Sequence, residues 1–211
     1  PVPVGGQFQV NSFTQSLQTR PALSAERDGD FVVVWQSFGS GADDTSNESI
    51  QGQRFAADGA PVAGQFQVNT YTTSFQTAPA VALSAAGDFV VVWQSYGSFG
   101  GDTSYASIQG QRYAVGGAAL GGQFEINAFT TSYQVSPRVA LSAAGDFMVV
   151  WQCNGSSGGD LSNFSVEGQR FAASGAGLGG EFQVNAYTTN FQQLPALALD
   201  ADGDAVVYSG G

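Results

Sequence analysis

Three features of the 211-residue sequence predict an all-β fold, a β-propeller of four-stranded antiparallel blades: an ungapped 58-residue repeat, four strand-like runs in each copy, and a composition rich in turn formers. Trp35, Trp93 and Trp151 stand 58 residues apart (93 − 35 and 151 − 93). The same step joins Gln7, Gln65, Gln123 and Glu181, then Pro21, Pro79, Pro137 and Pro195, then Asp30, Asp88, Asp146 and Asp204, and also Arg54, Arg112 and Arg170. The copies are read as 6–63, 64–121, 122–179 and a partial fourth, 180–211, within one repeat domain over 1–211 that is a fragment or a partial ring.

Each copy resolves into four strands. Pro79–Leu83 is a short apolar run, followed by a Gly-Asp turn and then by Phe89-Val-Val-Val-Trp-Gln94. That second run is rich in β-branched and aromatic residues, which suits a central strand covered on both faces. A polar loop of about ten residues leads to Ser107–Tyr113, where polarity alternates as in a half-exposed strand. Gly122–Asn127 alternates again and is the fourth strand. The 29 glycines supply the positive φ that tight turns need, and 43% hydrophobic residues are enough for a real core.

The ends of the array are out of phase. The chain opens on Pro1, as a processed protein or an excerpt would, and enters the repeat at the fourth-strand segment Gln7–Asn11. It ends at Ser209–Gly211, just after a second strand. Gln7–Val10 is expected to complete the last blade, with a second copy or a longer parent chain supplying what the ring still lacks.

Composition narrows the chemistry. Only 11% of residues are charged, all six cations are Arg, and the net charge is −11, so nucleic acid and anionic lipid are repelled. No run approaches the roughly 20 apolar residues that span a bilayer. Cys153 is the only cysteine, so no internal disulfide forms. There is no histidine, which removes Ser-His and Cys-His dyads and the usual zinc sites.

The motifs Gly-Gly-Gln-Phe-Gln-Val-Asn, Gly-Asp-Phe-Val-Val-Val-Trp-Gln-Ser and Ile-Gln-Gly-Gln-Arg-Phe occur in that order over nearly the whole chain. They resemble the tandem repeats of large secreted or surface proteins of bacteria, often found beside calcium-binding nonapeptide modules and adhesin-like regions. The resemblance implies a propeller-like extracellular or cell-surface repeat, and it brings no catalytic residues with it.

Two groups of residues are singled out for binding. Asp44, Asp102 and Asp160 recur in the loop between the second and third strands, with Tyr105 and Phe164 following; carboxylates with an aromatic ring suit a sugar pocket, and the competing reading is a solvated hairpin. Asp28 and Asp30, and Asp200, Asp202 and Asp204, gather carboxylates around a glycine, so calcium is the cofactor they would take; the competing reading is turn shaping by Asp. The tryptophans are expected to pack between blades, and the repeated arginines to bond loop carbonyls or an Asp.

The expected function is a non-enzymatic module for adhesion, assembly or recognition, with a protein or glycan as partner and no enzymatic activity. A multivalent carbohydrate-binding lectin is the alternative. A carboxylate-based glycosidase ranks third, because it should carry an acidic residue that breaks the repeat inside a cleft, whereas the acids mostly follow the repeat.

Overall fold

The computed structural model describes the chain except residues 1–4, 40–43, 45–46, 98–99, 103, 156–157, 161–162 and 211. Three four-stranded antiparallel sheets and one two-stranded sheet are present, and no helix occurs among the described residues. The first sheet holds β1 (Gln18–Ala25), β2 (Phe31–Phe38), β3 (Glu48–Phe55) and β4 (Pro61–Gln67) in sequential order. The second holds β5 (Gln76–Leu83), β6 (Phe89–Tyr96), β7 (Ala106–Tyr113) and β8 (Phe124–Glu125). The third holds β9 (Gln134–Leu141), β10 (Phe147–Asn154), β11 (Phe164–Phe171) and β12 (Phe182–Gln183), and the chain closes with the pair β13 (Gln193–Leu199) and β14 (Ala205–Gly210).

The central strands β2, β6 and β10 are buried along nearly their whole length, as their Val-rich runs require. Trp93 is fully buried and packs with Val32, Val34, Ile50 and Val68 of the preceding sheet. Trp151 does the same against Val90, Val92, Ile108 and Ile126. Trp93 and Trp151 are therefore the cement between sheets, as expected, whereas Trp35 packs on the first sheet alone. The indoles of Trp35 and Trp93 donate to Gln18 and Gln76 at 2.8 and 2.9 Å. In the third sheet the matching Trp151 Nε1 and Gln134 Oε1 are both buried without a partner; Gln134 Nε2 donates to the Thr131 carbonyl, as Gln76 does to Thr73, and to Cys153 Sγ. Burial pushes the Cys153 thiol up to about 12, so it stays protonated.

The Gly-Asp turns act as braces. Asp30, Asp88 and Asp146 each accept from a backbone N–H of the turn at the far side of the same sheet, Ala57, Val115 and Ala173, at 2.9 Å. The repeated glycine of the third strand is fixed by close approach: a Cβ at Gly52 would lie 2.7 Å from the Phe66 ring, and one at Gly110 3.0 Å from Phe124. Arg112 and Arg170 bond loop carbonyls, Arg112 to Ala173 at 2.6 Å and to Leu120, Arg170 to Gly203.

The expected fourth strand over Gly122–Asn127 is cut to two residues. Its C-terminal end is set by Asn127, whose side-chain carbonyl accepts from Ile108 N at 2.7 Å where a ladder carbonyl would otherwise stand; β4 ends in the same way yet runs seven residues, so β8 is shortened at its start. Asn69 and Asn185 do the same to Ile50 and Val166. Gln7–Val10 does not complete the last sheet: β13 and β14 stand as a pair, and the ring is not closed. Phe8 and Val10 instead pack on the first sheet, with Phe8 5.4 Å from Phe55, much as Phe66 packs at 5.5 Å on Tyr113.

One break in the repeat weakens the third sheet. Gln65 and Gln123 accept two backbone N–H groups of the preceding connection and donate to Gln51 and Gln109. Glu181 keeps the first role, accepting from Ala128 and Phe129, but its Oε1 is buried without a partner. Replacing Glu181 by Gln restores a donor there and is expected to stabilise the chain by about 1 kcal/mol, read as a melting temperature raised by roughly 2–4 °C.

Candidate functional site

The loop carboxylates singled out in the sequence turn inward. Asp44, Asp102 and Asp160 are at most 1% exposed. Asp44 and Asp102 accept from the Nδ2 of Asn69 and Asn127 at 3.0 and 3.1 Å, and Asp160 from Asn185 at 3.1 Å. Asp102 also takes the backbone N–H of Ser104 at 2.8 Å and its hydroxyl. These carboxylates pin the loop to the connection between sheets. Asp102→Ala is expected to cost about 3 kcal/mol, since it strands buried donors that now bond a charged acceptor, and urea unfolding reads that loss directly. Tyr105 is exposed and stacks on Tyr133 at 4.8 Å, while Phe164 is half-buried near Phe191. The carboxylates of this set are thus buried, whereas the Tyr105 ring is exposed.

The two carboxylate turns take the turn-shaping geometry. Asp200 Oδ1 accepts from the backbone of Asp202 and Asp204 at 3.0 and 2.9 Å, and Asp30 is committed to Ala57. Asp28 and Asp202 are exposed at the turn tips. Among the described residues no group of three acidic, Cys or His side chains could hold a metal ion. Burial and the neighbouring carboxylates of Asp28 and Asp30 raise the Glu26 carboxyl above the usual glutamate range.

A different site lies where the innermost strands meet. β1, β5 and β9 contact one another in turn, and β13 contacts β9. Together these four strands line an axial cavity of about 440 Å³ with Arg20, Ala78, Arg138 and Leu197 on its wall. Arg20 also lines a wider mouth of about 660 Å³, together with Gln36, Glu48, Phe75, Thr77, Gln94, Tyr96 and Ser136. Each innermost strand carries a β-bulge whose extra residue has positive φ: Arg20 at 51°, Ala78 at 52°, Ser136 at 57° and Leu194 at 52°. A bulge re-aims a side chain, and here all four positions belong to strands surrounding the axis.

The repeat breaks at the mouth and along the adjoining cavity. Glu48 stands where the next copies have Ala106 and Phe164. Arg20 stands where they have Ala78, Ser136 and Leu194, and Arg138 where they have Ala22, Ala80 and Ala196. Gln36 Nε2 reaches Glu48 Oε1 at 3.4 Å, while Glu48 Oε2 is buried with no hydrogen-bond partner. Phe75 and Tyr96 meet edge to face at 6.0 Å and give the mouth an apolar wall. None of Arg20, Glu48, Tyr96 or Arg138 was singled out in the sequence; the signal that could have found them is departure from the 58-residue register.

No protein-family model and no curated protein matches the chain. Solved structures do. The chain is similar to an endo-arabinase of Bacteroides thetaiotaomicron at 10% identity and a TM-score of 0.51, over 90% of this chain and 68% of that one. It is similar to a Hadza microbial sialidase at 11% identity and 0.54, over 92% and 44%. It is also similar to an ulvan lyase bound to a GlcA-containing saccharide, at 10% and 0.52, over 90% and 51%. The fold is propeller-like. The chain spans 44% to 68% of the length of these three proteins.

These neighbours support the propeller-like part of the expected resemblance and lend nothing to its adhesin or calcium-module context. They also correct the functional expectation. A non-enzymatic module for adhesion, assembly or recognition, with no enzymatic activity, was expected; the propeller-like structures that share the fold are carbohydrate-active enzymes, glycoside hydrolases and a polysaccharide lyase among them. At these identities the likeness establishes the fold, and the reaction rests on the site.

Proposed function

We propose that the chain is a carbohydrate-active unit that cleaves a glycan held at the axial mouth of its propeller, with Glu48 as the proton-transfer group. The observation that carries this reading is Glu48 itself, an acidic residue that breaks the repeat inside a cleft, which is the feature expected of a glycosidase and absent from the repeated acids. The kinship of fold with an arabinase, a sialidase and an ulvan lyase supports the same substrate class.

The mouth offers the parts that glycan cleavage needs. Phe75 and Tyr96 form a wall on which the apolar face of a sugar ring packs, and Gln36, Gln94, Thr77 and Ser136 present amides and hydroxyls to sugar hydroxyls. Breaking the glycosidic C–O bond leaves an oxygen that must take up a proton. Glu48 is the carboxyl of the mouth that delivers that proton, from Oε1, which Gln36 orients at 3.4 Å, while Oε2 is buried. The water whose oxygen adds to the anomeric carbon returns a proton to Glu48, so the count closes.

The test is digestion of a panel of neutral, uronate-containing and sulfated polysaccharides with the purified chain, reading new reducing ends and product masses. Depolymerisation of at least one glycan is expected. A chain that cleaves none of them overturns the reading.

A further inference from the structure

Arginine is the only cation of this chain, and apart from Arg27, exposed in the first turn, its six copies divide by role. Arg54, Arg112 and Arg170 hold one repeated position on the third strand, and Arg112 and Arg170 spend their donors on loop carbonyls. Arg20 and Arg138 are different. They lie on the innermost strands β1 and β9, at positions where the sister copies carry Ala, Ser or Leu, and they line the same axial cavity. Arg20 makes no hydrogen bond or ion pair with any described residue, although it shares the mouth with Glu48. Arg138 donates from Nη1 to the carbonyl of its own neighbour Pro137 at 2.8 Å. Both side chains are exposed to solvent along the same cavity.

The rest of the molecule makes this placement informative. The chain carries a net charge of −11, so its general field repels anions. Two guanidinium groups, both solvent-exposed and set beside Pro21, Pro79, Val81 and Val139, place positive charge at the axis of this acidic chain. A neutral sugar has no use for such a pair. A planar or tetrahedral anion does, because the arginine fork matches carboxylate and sulfate oxygens two at a time.

We infer that the axial site takes an anionic glycan, one bearing carboxylate or sulfate groups, with Arg20 pairing an anionic group beside the bond that faces Glu48 and Arg138 pairing a second one deeper along the axis. The inference rests on the proposed cleavage only for the role of Glu48; the binding stands on the arginines. Both are specificity-determining residues for this site.

The test is titration calorimetry of the Glu48→Gln chain with three oligosaccharides of equal length: a polyuronate, a sulfated galactan and a neutral galactan. At least one of the two anionic probes binds, weakening as salt rises, and the neutral one binds at least tenfold more weakly; which anionic probe wins distinguishes carboxylate from sulfate. Arg20→Ala and Arg138→Ala each lower that affinity tenfold or more. Both variants fold, since sister copies carry Ala78 and Ala22 at these positions, and an unchanged melting curve verifies it. Equal affinity for the neutral probe, no binding of either anionic probe, or indifference to both substitutions overturns the inference. Cleavage of a neutral glycan with no preference for anions sinks this inference alone, whereas anion binding without cleavage of any glycan sinks the proposed function alone.

Discussion

Replacing Glu48 by Gln lowers the rate of glycan cleavage by about 10²–10⁴-fold, the usual contribution of a positioned proton-transfer group, and leaves the fold intact. The amide keeps the shape of the side chain and its contact with Gln36, so affinity for the glycan changes little and the loss falls on kcat. No structural role requires the carboxylate at this position, because the sister copies carry Ala106 and Phe164 there. A variant with undiminished kcat would place the proton transfer elsewhere. The comparison is informative only beside a thermal melt, which is expected to match that of the parent chain.

Trp93→Ala carries the largest cost in stability. The indole is fully buried, fills the joint between the first and second sheets, and donates to Gln76. Truncation removes the ring's burial and leaves a cavity, which costs about 3–5 kcal/mol. It also strips Gln76 Oε1 of its donor deep in the joint. Against a total stability of about 5–15 kcal/mol the effect is severe, and the melting temperature is expected to fall by about 10 °C or more. Trp35 is the internal control. It is 4% exposed and packs against the smaller cluster of Val33 and Phe55 on the first sheet, so Trp35→Ala is expected to cost clearly less. Equal losses would contradict the account of tryptophan as cement between sheets.

The architecture was legible because it is written once per copy. Turn glycines, β-branched runs and the spacing of the tryptophans each recur in register, so a strand inferred in one copy is checked in the next. The Arg112 contacts and the inter-sheet seat of Trp93 follow from that reading. The fourth strand was harder, since its end is set by Asn127, which takes a ladder hydrogen bond with its side chain rather than its backbone. The carboxylate Asp102 looked like a ligand-binding group because a polar loop surrounds it. Its real partner, Asn127, lies 25 residues further on, beyond any local pattern.

The site was illegible for the opposite reason. Glu48, Arg20 and Arg138 belong to no motif, and in a repeat they register only as exceptions. Nothing in the linear sequence says that positions 20, 48, 96 and 138 converge, because their meeting depends on the sheets fanning around one axis. Repetition builds the frame here, and these three exceptions line the cavities at its centre.

The central claim is that function resides at those exceptions and not in the repeated loops. The most direct measurement is a crystal structure of the Glu48→Gln chain soaked with an acidic oligosaccharide. The ligand is expected at the axial mouth, with an anionic group on Arg20 and a ring against Phe75 and Tyr96. A ligand seated instead on the outer loop, against Tyr105 and Tyr133 beside Asp102, would contradict the account.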